Sequence, residues 1–181
     1  MVHLQIGQST DVLRVLCLGA HSDDIEIGCG GTILQLLAQR SNVEVRWVVF
    51  SSEGDRKAEA LKSSKQFLRQ ARRSQVTVKN FQGSFFPFKG EAIKAYFESL
   101  KKGFLPDVIF THYRHDLHQD HRVISDFTWN TWRSHLILEY EIPKYDGDLG
   151  VPNVFAPLNE TILKHKARIL LEAFKTQRTK Q

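Results

Sequence analysis

The sequence predicts an α/β fold, a three-layer sandwich in which a mostly parallel sheet carries helices on both faces. Three observations predict it. Val12 to Gly19 is a nearly continuous apolar run interrupted only by Arg14, the pattern of a strand buried on both faces. Val43 to Phe50 is a second such run, rich in β-branched residues. Segments of helical periodicity separate these runs, and strands alternating with helices make βαβ units. The chain has 181 residues, close to one domain of about 100–200. No linker divides it, so residues 1–181 are read as one domain of Rossmann-like type.

The elements follow in order. After the first strand, Ile33, Leu36 and Leu37 form the apolar face of a helix, with Gln35, Gln39 and Arg40 opposite. The second strand ends in the polar loop Ser51 to Asp55. A charged helix from Arg56 to Arg73 buries Ala60, Leu61, Phe67 and Leu68, and a third strand runs from Gln75 to Phe81. Phe85, Phe86 and Phe88 make an aromatic loop that reads as packing. Ile93, Tyr96, Phe97 and Leu100 repeat at helical spacing. Gly103 stops that helix and Pro106 precedes a fourth strand, Asp107 to His112. A polar loop leads to a helix from Asp120 to Arg133, and Leu136 to Ile142 is a fifth strand. Pro143 to Pro157 is a Gly/Pro-rich loop with a short strand near Val154 and Phe155. The last helix runs from Asn159, its N-cap, to Phe174.

Composition narrows the class. Hydrophobic residues are 41% and charged residues 25%, which suits a globular core. No apolar run approaches the roughly 20 residues of a membrane span, and the first residues lack the basic and apolar regions of a signal peptide. Cys17 and Cys29 make no disulfide framework, and Cys17 sits within a strand run as a small buried hydrophobe. A cytoplasmic protein is expected. The net charge of +5 attracts phosphate-rich partners in principle, but the basic residues fit a solvated helix face and tail. Nucleic acid is not an expected partner; a homo-oligomer is compatible with the sequence.

Two polar constellations follow predicted strands. The first is Ala20-His21-Ser22-Asp23-Asp24-Ile25-Glu26, leading into Gly28, Gly30 and Gly31. The second is His118-Gln119-Asp120-His121. Strand-end loops of a parallel sheet share one rim, where ligands bind. His21, Asp24 and a histidine of the second group supply two imidazoles and one carboxylate, a donor set for catalytic zinc. Asp23, beside a ligand but pointing elsewhere, is free to act as general base. His118, where it is not a ligand, suits an oxyanion or a leaving amine. Asp120 suits a hydrogen bond to a histidine. The glycines allow close approach of backbone and substrate, Gly30 among them. His112 and His115 read as loop residues, and His3, His135 and His165 as structural or exposed.

The pattern resembles the LmbE-like / PIG-L deacetylases, metal-dependent N-deacetylases with a first motif Ala-His-Pro-Asp-Asp-x-Glu and a second motif His-x-Asp-His. The resemblance runs from about Val12 to Phe174. It implies zinc, with iron(II) or another divalent ion as the alternative, on His21, Asp24 and His121. It implies Asp23 as general base and His118 as electrophile or acid, oriented by Asp120. It places Arg56 and Glu59 where substrate contacts occur, and it implies a small N-acetylated sugar or sugar-bearing substrate. Ser22 replaces the motif's proline. Family members commonly continue beyond the point where Gln181 ends this chain, so a C-terminal continuation that closes the rim is expected to be missing. One rival is an inactive metal-binding or interaction module of the same fold. A second is a non-haem iron oxygenase using His21, Asp23 and His121, which the strand–helix alternation does not favour. A third is a dinucleotide-binding enzyme, whose fingerprint lacks its third glycine at Ile33.

Overall fold

At the centre of the sheet lies β1 (Leu13–Gly19), and its side chains alternate between two cores. The computed structural model describes residues 11–178. Leu13, Val15 and Cys17 join one apolar cluster, and Leu16 and Leu18 join the other. That alternation follows from the period of two in a strand, and it makes a doubly covered strand read as continuously apolar. The remaining strands are β2 (Val43–Val49), β3 (Arg73–Val78), β4 (Val108–His112) and β5 (Leu136–Tyr140). All pairings are parallel and the order is β3-β2-β1-β4-β5.

Among the described residues six α-helices cover the sheet: α1 (Asp24–Gly28), α2 (Gly30–Gln39), α3 (Asp55–Phe67), α4 (Gly90–Gly103), α5 (Gln119–Thr131) and α6 (Glu160–Ala173). On one face Ile33, Leu34 and Leu37 of α2, Phe67 of α3 and Ile169 of α6 pack on β1 and β2. On the other, Ile93, Phe97 and Leu100 of α4 and Ile124 of α5 do so. The α/β sandwich is therefore the expected one. Among the described residues no helix is long and apolar enough to cross a membrane. His3 lies outside the described residues.

Several elements differ from expectation, each for a local reason. The segment after β1 is already helical at Asp24, so the His-Asp-Asp motif stands at a helix start. The charged helix α3 ends at Phe67, and Arg73 opens β3 because it pairs with Glu44 of β2. Its buried face is Ala60, Ser63, Ser64 and Phe67, whereas Leu61 is exposed. Helical spacing from Ala60 selects positions three, four and seven residues on, so two serines take the inner positions. No strand forms near Val154 and Phe155. Phe86 is buried as expected, but Phe85 and Phe88 are exposed. Asn159 caps α6, its side chain accepting the Ile162 N–H at 2.8 Å.

Candidate metal centre

Strand order reverses between β1 and β4, the switch point where open parallel sheets form a crevice at their carboxyl ends. The two polar motifs leave those two strands. They meet because β1 and β4 are neighbours in space, although about a hundred residues separate the motifs.

Three acceptor atoms converge there. His21 Nδ1 lies 3.2 Å from His121 Nε2. Asp24 Oδ2 lies 3.4 Å from each of them. Carboxylates fix both rings. His21 Nε2 is 3.0 Å from Asp120 Oδ2, and His121 Nδ1 is 2.9 Å from Asp116 Oδ2. Each ring thus has a carboxylate on its outer nitrogen, and its neutral form with the proton there turns a lone pair inward, as in metal-ligating histidines. Two imidazole lone pairs and a carboxylate oxygen facing one another repel unless a cation or proton lies between them. A tetrahedral ion with bonds of about 2.0–2.2 Å separates its donors by roughly 3.3–3.6 Å, so the triangle fits a divalent ion. His21, Asp24 and His121 thus form a group able to hold a metal.

Electrostatics follow from the same contacts. Burial alone would lower the His21 pKa, but hydrogen bonds to Asp120 and Asp24 outweigh it and raise it to about 10. Burial would raise Asp24, yet the neighbouring imidazoles hold its carboxylate well below the usual range. Asp24 Oδ2 also accepts the His21 main-chain N–H at 2.6 Å. Asp23 points the other way. Burial and the adjacent Asp24 push its pKa up, and Arg56, 3.0 Å from Asp23 Oδ1, opposes them. Glu26 lies fully buried below the motif, and burial pushes its carboxyl well up.

His118 is the N-cap of α5, its Nδ1 accepting the Asp120 N–H at 3.2 Å. That bond leaves the proton of a neutral ring on Nε2. Burial, followed by the charges of His121 and His21, lowers its pKa.

Some of these expectations need correction. Asp120 does not orient His118 through its carboxylate, which receives His21 together with the N–H groups of Ser84 at 2.6 Å and Phe86 at 3.1 Å. Ser84 adopts a φ of 65° to present that N–H, a left-handed conformation uncommon outside glycine. Gly30 stands at a packing position. It is buried, and a Cβ there would stand 2.6 Å from the Phe67 ring, so its missing side chain serves helix packing. His112 is not a loop residue. It ends β4 fully buried, accepts the Ala20 N–H on Nε2 at 2.9 Å and stacks on His121 with centroids 3.9 Å apart.

Arg56 reaches the site through Asp23, but Glu59 faces away and accepts the Thr176 N–H at 2.9 Å and its hydroxyl at 2.7 Å. Ser22, in the place of the motif's proline, is buried and donates to Ser52 Oγ at 2.9 Å. That bond ties the loop after β1 to the loop after β2. The sequence does not single out Asp116, nor does it show that His112 lies against His121. Asp116 lies two residues before His118, and the signal for it was an acidic residue inside a histidine-rich loop.

Solved structures resemble this one. N,N'-diacetylchitobiose deacetylase from Pyrococcus horikoshii superposes with a TM-score of 0.67 at 20% identity, covering 89% of this chain and 69% of its own. The A40926 pseudoaglycone deacetylase Dbv21 gives 0.73 at 17%, covering 92% and 83%. GalB, the 4-carboxy-2-hydroxymuconate hydratase from Pseudomonas putida, gives 0.67 at 12%, covering 92% and 80%. At such identities the likeness is one of fold. No curated protein sequence matches. The family described as PIG-L, GlcNAc-PI de-N-acetylase, matches residues 16–132, which include both motifs and more than half of the chain. The chain belongs to the PIG-L family.

Proposed function

We propose that this protein is a metal-dependent N-deacetylase that hydrolyses the N-acetyl group of an N-acetylated sugar or sugar-bearing small molecule. The observation that carries the reading is the triangle of His21 Nδ1, Asp24 Oδ2 and His121 Nε2 beside an aspartate that takes no part in it. Zinc is the ion proposed, because two imidazoles and one carboxylate are a known catalytic zinc donor set. When bound, such an ion supplies Lewis-acid polarisation and brings water ionisation near pH ~7.

The chain's own residues do the rest. Asp23 is the general base. Its raised pKa makes it a better proton acceptor than an ordinary aspartate, and Arg56 keeps the carboxylate ionised and in place. His118, neutral with its proton on Nε2, donates a hydrogen bond to the negative charge that develops on the carbonyl oxygen. Asp23 then carries the proton that the leaving amine requires. The acetyl group leaves as acetate. Asp120 and Asp116 hold the two histidine rings at the angles that aim Nδ1 of His21 and Nε2 of His121 inward.

Deacetylase relatives of the same fold support this reading, including one whose name specifies N,N'-diacetylchitobiose. The hydratase of the same fold marks the alternative, addition of water to a double bond. The test is acetate release from a panel of N-acetylated amino sugars by metal-loaded protein. Stoichiometric acetate and free amine, lost in Asp23→Asn, are expected. Consumption of an unsaturated acid with no acetate from any amide would overturn the proposal.

A further inference from the structure

The loop after β5 reaches into the metal half-site through one lysine. Lys144 Nζ lies 3.0 Å from Asp116 Oδ1 and also pairs with Asp148. Asp116 is buried, and its two oxygens are divided between partners. Oδ1 takes Lys144 and the His118 N–H at 2.7 Å, while Oδ2 takes His121 Nδ1 at 2.9 Å. Asp148 Oδ2 accepts the Leu117 N–H at 2.6 Å, so residues 144 and 148 both grip the loop that carries His118. Gly150 continues the contact, lying so close to Tyr113 that a Cβ would stand 2.5 Å from its hydroxyl.

We propose that Lys144 is a positioning residue of the metal centre, acting through Asp116 to fix the ring of His121 and so joining the loop after β5 to the metal. The inference rests on the metal-centre reading above. A carboxylate can rotate, and it holds a histidine at one angle only when its second oxygen is also held. Lys144 and the His118 N–H supply that second anchor. The lysine also balances the charge of a buried carboxylate. Because the Lys144 side chain is only 17% exposed, solvent and salt screen the pair less than they screen a surface ion pair. Outer partners of metal-bound histidines commonly change metal affinity by about 10–100-fold. A residue one bond further out is assigned about 3–10-fold on that scale.

The test measures zinc affinity by chelator competition on purified metal-free protein. The variants are Lys144→Met, Lys144→Gln, Lys144→Arg, Asp116→Asn and the Asp116→Asn/Lys144→Met double variant. Loss of affinity in both neutral Lys144 variants, recovery in the arginine variant, and no further loss when Lys144→Met is added to Asp116→Asn are expected. A merely structural lysine would instead add its effect to that of Asp116→Asn, and this outcome overturns the proposal. Wild-type affinity in both Lys144→Met and Lys144→Gln overturns it as well. Failure of the wild-type chain to bind any divalent ion would overturn the metal-centre reading itself, a different result from a wild type that binds and variants that bind equally.

Discussion

The loop after β1 and the loop after β4 each contribute half of the centre, but they contribute different things. The first supplies charge: Asp24 toward the metal triangle and Asp23 away from it, with His21 between two carboxylates. The second supplies constraint. Both carboxylates that orient the two histidines of the triangle come from this side, Asp120 at the start of α5 for His21 and Asp116 in the loop before it for His121. So does the α5 cap that sets the tautomer of His118. The first half therefore depends on the second even for the orientation of its own histidine. Two short motifs act as one site because β1 and β4 pair directly.

Substitutions test that division, beginning with the largest effect. His121→Ala removes one of three donors and is expected to abolish stoichiometric zinc, read by elemental analysis, together with detectable acetate release. Asp23→Asn in the first half is expected to lower kcat by about 10²–10⁴-fold, the scale of general base catalysis, with zinc content unchanged. Asp120→Asn in the second half is expected to weaken zinc affinity by about 10–100-fold, although its carboxylate lies outside the triangle. An Asp120→Asn variant with wild-type affinity would show that the first half orients its own histidine. Gly30→Ala is expected to cost roughly 1–3 kcal/mol of stability through overpacking on Phe67, seen as a lower denaturation midpoint, while zinc affinity stays at the wild-type value. A change in substrate KM without loss of stability would return Gly30 to the substrate side.

The sheet was legible because β1 and β2 carry long apolar runs, and the helices because Ile93, Phe97 and Leu100 keep helical spacing. Boundaries were less so. Arg73 reads as helix by charge and becomes strand because β2 offers it a partner. Leu61 reads as core by hydrophobicity and lies outside because the buried face of α3 passes through Ser63 and Ser64. The donor residues stood out by type and spacing. Their supports did not. Which carboxylate meets which histidine depends on how two loops cross, so Asp120 faces His21 rather than His118, and Asp116 and Lys144 meet only after the chain has passed through β5. His112 closes the fourth strand where the sequence ends it, but nothing in the sequence shows that its ring is fully buried against that of His121.

The adjacent aspartates carry the central claim, since one is assigned to the metal and the other to the proton. Zinc per chain, measured side by side in Asp23→Asn and Asp24→Asn, tests it most directly. One ion per chain is expected in the first and none in the second. Equal zinc content in the two variants, or loss of metal in Asp23→Asn alone, would contradict it.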